Sequence, residues 1–273
     1  MGRGTRRAGA ELSATDRESE TRKQGRAIEL FHAAFLQVAT TQLPLSDFAL
    51  KGGGNLRFFL RSRRRSADLD LDYIGRSFAG FAERMDRVIT SRALAELLRM
   101  RDITLVFEGR RAKDTATVKR WKLRLARPGM EDASSKIECS SRTPIGTPAL
   151  EQTDTELSRA LGAVAVRLNH YPPVHAVSQK VNALAKRSDT EPRDVFDLDH
   201  LFLQYPDALG AAALDPVLRS TAIERARDIT YAAYHELVAE YLEEEFVPLF
   251  GSEQAWNDMV VRVVARLDEK LTR

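Results

Sequence analysis

Apolar side chains recur at helical spacing through Ile28, Phe31, Phe35 and Val38, which predicts a helix over 26–41. Leu43-Pro44 ends it, because the residue before a proline is pushed out of the helical region. Residues 1–25 are almost free of apolar side chains, so a polar tail or solvated leading helix is expected there. Phe48-Ala49-Leu50 predicts a short strand that runs into Lys51-Gly52-Gly53-Gly54. Leu56, Phe59 and Leu60 then predict a short helix. From Ser66 to Ile74 polar and apolar residues alternate strictly, the pattern of a strand with two unlike faces. Phe81, Met85, Val88, Ile89, Leu94, Leu97 and Leu98 predict one helix over 80–100. Three further strands are expected over 103–107, 115–125 and 135–140, with a turn at Arg127-Pro128-Gly129. Beyond that only helices are expected: 174–186, 192–203, 215–227, 230–245 and 253–271. The predicted fold is α+β, a mixed sheet with flanking helices over 26–150 and a helical C-terminal region over 151–273.

Composition narrows the class. Hydrophobic residues make up 43% and charged residues 30% of the 273, a globular balance that excludes rods and wholesale disorder. No run approaches the roughly 18 apolar residues of a membrane helix, and no apolar leader stands at the start, so no membrane role is expected. Cys139 is the single cysteine, which excludes an intramolecular disulfide or a cysteine zinc site and fits a reducing cytoplasm. The net charge of +3 hides a split. Residues 1–150 carry 29 Lys and Arg against 18 Asp and Glu, whereas 151–273 carry 13 against 21. Either the basic half meets a polyanion or the two halves dock on each other.

The chemistry concentrates between Lys51 and Asp72. A glycine pair between a strand and a helix leaves backbone N–H groups unpaired and lets an anion approach closely, although such pairs are more often plain tight turns. Asp68 and Asp70 lie two apart on a strand and so share a face. Adjacent carboxylates repel unless a cation lies between them, and Mg²⁺ suits oxygen ligands; a solvated edge strand neutralised by nearby arginines is the alternative. Together, the cradle and the carboxylate pair suit a nucleotide whose phosphates lie beside a metal. Glu138, on the strand Lys136-Ile137-Glu138-Cys139-Ser140, is a candidate third acid. The run Arg61 to Arg65, and Lys119, Arg120, Lys122 and Arg124 interleaved by Trp121, are candidate contacts to triphosphate or nucleic acid. The five histidines show no metal-ligand spacing. Hydrolase, zincin and P-loop signatures are absent.

Gly52-Gly53 followed by Asp68-Leu69-Asp70-Leu71 resembles the signature of the DNA polymerase β-like nucleotidyltransferase superfamily. The longer strings, Leu50 to Arg57 and Arg65 to Asp70, resemble the AbiEii/AbiGii toxin family, which includes the MenT-like toxins; Gly54 stands where that family commonly has threonine. A second block, Gln179-Lys180-Val181-Asn182-Ala183-Leu184 with Pro192-Arg193-Asp194-Val195-Phe196-Asp197-Leu198, resembles the family's later motifs. The resemblance implies a nucleotidyltransferase toxin that moves an NMP from an NTP to an RNA acceptor, such as a tRNA 3′ end. A cognate antitoxin would hold it in check. It implies Mg²⁺ on Asp68 and Asp70, and triphosphate on Gly52, Gly53, Ser66, Arg65 and Lys180. Asp197 would complete the site, with Asp194 nearby and Glu138 as a metal ligand or the base for the acceptor hydroxyl. It also makes Ser66 a possible site of silencing phosphorylation. The residues leave open two other readings: the same chemistry on a small-molecule or protein hydroxyl, and an inactive nucleic-acid-binding module.

Overall fold

A computed structural model describes residues 14–269. The first thirteen residues of the expected polar tail, and 270–271 at the end of the last expected helix, lie outside them. Helix α1 (Ala14–Gln42) begins twelve residues before the start at 26 that the apolar stripe predicts. Its second half is buried almost all round, because it runs beneath the sheet and also meets two other helices. There even Glu29 and His32 are buried.

Strand β1 (Phe48–Lys51), helix α2 (Gly52–Phe58) and strand β2 (Leu69–Tyr73) follow as the patterns predict, except that Ser66, Ala67 and Asp68 precede the strand. The single helix expected over 80–100 is two, α3 (Phe78–Ile89) and α4 (Arg92–Arg99). The apolar period runs on because both helices face the same core. The chain nevertheless breaks at Ser91, whose hydroxyl accepts from the Leu94 N–H and caps α4. Strands β3 (Thr104–Val106), β4 (Lys113–Asp114), β5 (Val118–Arg127) and β6 (Met130–Ser140) come next.

The expectation of helices alone after residue 150 needs correction. Strand β7 (Ala149–Gln152), helix α5 (Thr155–Ala160) and strand β8 (Arg167–His170) extend the sheet past that boundary. The helical region starts with α6 (Pro173–Lys186) and α7 (Pro192–Gln204). It continues through α8 (Ala208–Ala211), α9 (Pro216–Asp228), α10 (Tyr231–Leu237), α11 (Val247–Phe250) and α12 (Glu253–Asp268). The stretch expected as one helix over 230–245 is α10 followed by short 3-10 turns.

The strands form one mixed sheet in the order β3-β5-β6-β2-β1-β8-β7, with β4 paired to the start of β5. β1 and β2 are antiparallel, while β2 runs parallel to β6 and β1 parallel to β8. Phe48, Leu50, Leu69, Leu71, Trp121, Leu123 and Ile137 point to the face packed by α1, α3 and α4. A second core lies among α6, α7, α9 and α12 and receives Leu56 and Leu60 from the region of α2. The functional face of the sheet is the one that looks away from the first core and toward the second.

Candidate active site

Register alone brings four charged side chains into line. Lys51 of β1 pairs with Asp70 of β2, Asp70 with Glu138 of β6, and Glu138 with Arg120 of β5. Residues directly opposite in neighbouring strands share a face, so these four form one row across the sheet. Two residue pairs further on, and so on the same face, Lys136 lies opposite Lys122. Most acids here are matched by a base on an adjacent strand. Lys136 Nζ lies 2.7 Å from Asp68 Oδ2, and Arg120 Nη2 lies 2.5 Å from Glu138 Oε2. Lys51 Nζ lies 2.5 Å from Asp72 Oδ1, whose other oxygen accepts the Tyr171 hydroxyl at 2.7 Å.

Asp70 differs. Among the described residues it has no ion-pair or hydrogen-bond partner for its carboxylate. Burial chiefly raises its pKa; Asp68 and Glu138 raise it further, against Lys51 and Arg193. An unpartnered carboxylate beside two others is placed to take a cation. Asp68 and Asp70 offer two protein carboxylates, and no group of three or more ligand side chains converges among the described residues. That donor set fits Mg²⁺, which takes one or two carboxylates and completes its shell with water and substrate phosphates.

Both glycines are required by what lies against them. Gly52 has φ +64°, and a Cβ there would stand 2.8 Å from Asp70 Oδ2. A Cβ on Gly53 would stand 2.6 Å from Ser66 Oγ and 3.2 Å from Arg64 Nη2. Gly54 instead faces Leu50 and Leu69 in the core, so a larger residue there would point away from the site. Asn55 fastens α2 in place: its amide donates to the Tyr171 carbonyl at 2.8 Å, and its oxygen meets His170 Nδ1 at 2.9 Å.

Two chambers meet over Asp70, Glu138 and Gly52. The smaller, about 210 Å³, is almost wholly polar. Gly53, Ser66 and Asp68 line it, with six cations: Arg64, Arg120, Lys136, Lys180, Arg187 and Arg193. The larger, about 380 Å³, lies between the sheet, α6 and the loop after β6, and mixes apolar side chains such as Val118 and Ala183 with Gln179 and Asn182.

The structure brings together Gly52, Gly53, Ser66, Asp68, Asp70, Glu138 and Lys180 at these chambers. It places three expected site residues elsewhere. Arg65 turns away and pairs with Glu29 at 3.2 Å. Asp194 and Asp197, fully buried one turn apart on α7, lie behind the cations and line neither chamber. Asp197 takes Arg64 at 2.9 Å and Lys180 at 2.6 Å; Asp194 takes Lys180 at 2.9 Å and Arg187 at 3.4 Å. Burial would raise the Asp197 pKa, but Arg64 and Lys180 outweigh it and hold the carboxyl well below the usual range. The aspartates thus hold three cations and line neither chamber themselves. Sequence reasoning assigned no role to Arg187 and Arg193, and Lys136 entered it only as part of the Glu138 strand. Arg193 stands within the quoted α7 block, which is the one signal that pointed to it.

Trp121 also belongs elsewhere than expected. It is fully buried on the core face, with its indole N–H donating to Asp86 Oδ1 at 2.6 Å, so it offers no ring for a base to stack on. Lys119 is tied to Asp114. Cys139 is buried, and burial pushes its thiol pKa up, which leaves it unreactive.

A glycine pair beside two half-buried carboxylates at the start of a strand, a third acid on the next strand, and a polar chamber rich in cations define a nucleotidyltransferase. The comparisons agree. Residues 35–272 match the family model described as nucleotidyl transferase AbiEii toxin, type IV TA system, and the chain belongs to that family of toxin–antitoxin nucleotidyltransferases. JHP933 from Helicobacter pylori has a similar fold, with TM-score 0.53 and 18% identity over 92% of this chain and 96% of that one. So does MenT4, a nucleotidyltransferase toxin from Mycobacterium tuberculosis H37Rv, with TM-score 0.53 and 16% identity over 94% of this chain and 90% of that one. No curated protein matches. No helix among the described residues is long and apolar enough to cross a membrane.

Proposed function

We propose that this enzyme transfers a nucleoside monophosphate from an NTP to a hydroxyl of an RNA acceptor, such as a tRNA 3′ end, with an antitoxin to oppose it. The observation that carries the reading is the unpartnered Asp70 between Asp68 and Glu138, at the mouth of a chamber lined by six cations. That chamber suits a triphosphate, because three of its cations, Arg64, Lys180 and Arg187, are fixed in advance by buried aspartates and need little reorganisation when the charge arrives. The larger, half-apolar chamber suits the nucleoside. Asp68 and Asp70 would hold Mg²⁺, which when bound neutralises phosphate charge.

In the transfer, the acceptor oxygen forms a bond to the α-phosphorus while the bond to the β-phosphate oxygen breaks, and pyrophosphate leaves. Glu138 lies across from Asp70 on the neighbouring strand and would take the hydroxyl proton. Lys180 and Arg64, locked by Asp197, hold the departing phosphates. The RNA acceptor is supported by the family and by the excess of cations over acids on the first half of the chain.

The test is incubation of the purified protein with each labelled NTP and, separately, RNA, protein and small-molecule acceptors. Label in RNA that vanishes in Asp70→Asn supports the reading. Label only in protein or small molecules, or an Asp70→Asn variant within about tenfold of the parent, roughly 1.4 kcal/mol in barrier, overturns it.

A further inference from the structure

The sheet face that carries Asp70 and Glu138 continues past the site onto the long hairpin of β5 and β6. The inner side of that hairpin is core, through Trp121, Leu123, Leu125 and Ile137. Its outer side carries Arg120, Lys122 and Arg124 at alternate positions of β5, about 7 Å apart along the strand. Lys136 lies opposite Lys122, and Ser134 opposite Arg124. Lys122 is exposed and has no ion-pair partner among the described residues. Arg124 is half exposed and only loosely matched by Asp132, at 3.4 Å. At the far end a groove between the hairpin and the segment before β4 adds Arg110, whose side chain is 83% exposed and is loosely matched by Glu108 at 3.7 Å.

We propose that this strip is a track for the phosphate backbone of an RNA acceptor and delivers its reacting end to Glu138. Three observations carry this. The strip starts at Arg120, the residue paired to Glu138, so it leads to the acceptor side of the site. Its cations are spaced along an open face, which suits a polymer better than a small anion. Its exposed positions are Lys, Arg, Ser and Asp, with no large apolar side chain to anchor a protein partner. Since Trp121 points inward, the track reads charge and not bases, and binding through it is largely independent of sequence.

The inference rests on the RNA reading of the site, and the test separates the two. Binding of a tRNA mixture to the full chain is measured by anisotropy without nucleotide, across roughly 50 to 200 mM salt. In Lys122→Glu/Arg124→Glu the affinity falls by about tenfold or more, and the salt slope flattens by about 1.4–1.8, two contacts at about 0.7–0.9 each. The KM for NTP stays unchanged. Lys122→Gln/Arg124→Gln gives a smaller loss in the same direction, and unaltered melting of both variants excludes a folding defect. Unchanged RNA affinity and slope overturn the track even where RNA is labelled. Loss of RNA affinity in a protein that labels only small molecules or proteins supports the track while the acceptor reading fails. A parent chain that binds no RNA but captures an acidic protein overturns the track.

Discussion

Replacing Asp197 with asparagine tests the claim that this residue positions cations rather than meeting substrate. Its carboxylate is fully buried and accepts two cations, Arg64 at 2.9 Å and Lys180 at 2.6 Å. Arg64 and Lys180 are themselves only 6% exposed. Asparagine keeps the volume and removes the charge. Lys180 retains Asp194, but Arg64 is left with neutral acceptors only, the asparagine oxygen and the Arg65 carbonyl. Removing one partner of a buried ion pair strands the other and costs about 3–5 kcal/mol. At about 2–4 °C per kcal/mol for a chain of this size, the melting temperature drops by roughly 6–20 °C. The pH dependence carries the same sign logic. The folded pKa of Asp197 is depressed, so its contribution is complete above the unfolded value and is lost only as pH falls through the folded one. Acidification to about pH 5 therefore leaves the pair intact, since an unfolded aspartate titrates near 3.9. Urea denaturation of both proteins at neutral pH, with NTP kinetics at a temperature where both are folded, gives the measurement. The expected kinetic result is a raised KM for NTP with RNA affinity unchanged. A stability loss under about 1 kcal/mol would refute the buried-pair argument. An unchanged KM beside a large fall in kcat would refute the positioning role.

Three further outcomes follow from the same geometry. Gly52→Ala forces a Cβ to 2.8 Å from Asp70 Oδ2 at φ +64°. It should cost about 1–2 kcal/mol in backbone strain and displace the carboxylate, with transfer down by an order of magnitude or more; unaltered turnover would refute the close approach. His32, buried against Ser135, has its pKa pushed down by burial to about 4 from 6.5. The fold binds His32 neutral, so its contribution is complete above the unfolded value and declines below it. Between neutral pH and pH 5 it loses about 2 kcal/mol, which denaturation of His32→Gln should show as a shallower acid slope. Lys180→Ala removes a chamber cation and should raise the KM for NTP by about tenfold or more while leaving nucleotide-free RNA binding alone; an unmoved KM would return Lys180 to a purely structural role.

How much of this was legible in the sequence depended on whether a residue's surroundings leave a periodic trace. The strand, glycine pair and second strand were readable because alternation at Asp68-Leu69-Asp70-Leu71 reports a sheet with one wet face. The same alternation reaches Asp72, which sequence reasoning passed over and which Lys51 and Tyr171 hold. Strands β7 and β8 left no such trace. Each is four residues long and lies at or next to the sheet edge, and Leu168 is fully buried while its neighbours are polar. Their pairing is a backbone matter, settled by β1 and not by local pattern. The break between α3 and α4 was hidden because both helices present apolar residues to one core. Trp121 and its basic neighbours read as a nucleic-acid surface, yet alternation in β5 sends the ring and Lys119 to one face and Arg120, Lys122 and Arg124 to the other.

The charge split admits a division that neither reading offered alone. Much of the excess in the first half is spent on docking. Arg57 pairs with Glu243, Arg61 with Asp154, Arg64 with Asp197, and Arg65 approaches Glu243. Arg63 lies over the Phe246 ring, 4.6 Å from its centroid. The arginine run that looks like a polyanion site is thus largely a seam between the halves, and its removal would loosen the fold before it weakened any RNA contact. Part of what the seam leaves over is on β5 and β6, where Lys122 and Arg124 meet no acid of the second half. The two sets of cations also differ in their response to salt. Arg57, Arg64 and Arg65 are largely buried, where screening is weak. The hairpin cations are exposed, and there screening and counterion release act in full. A basic half can therefore hold its partner half firmly while gripping a polyanion reversibly, because burial, not residue type, decides which cations salt can reach.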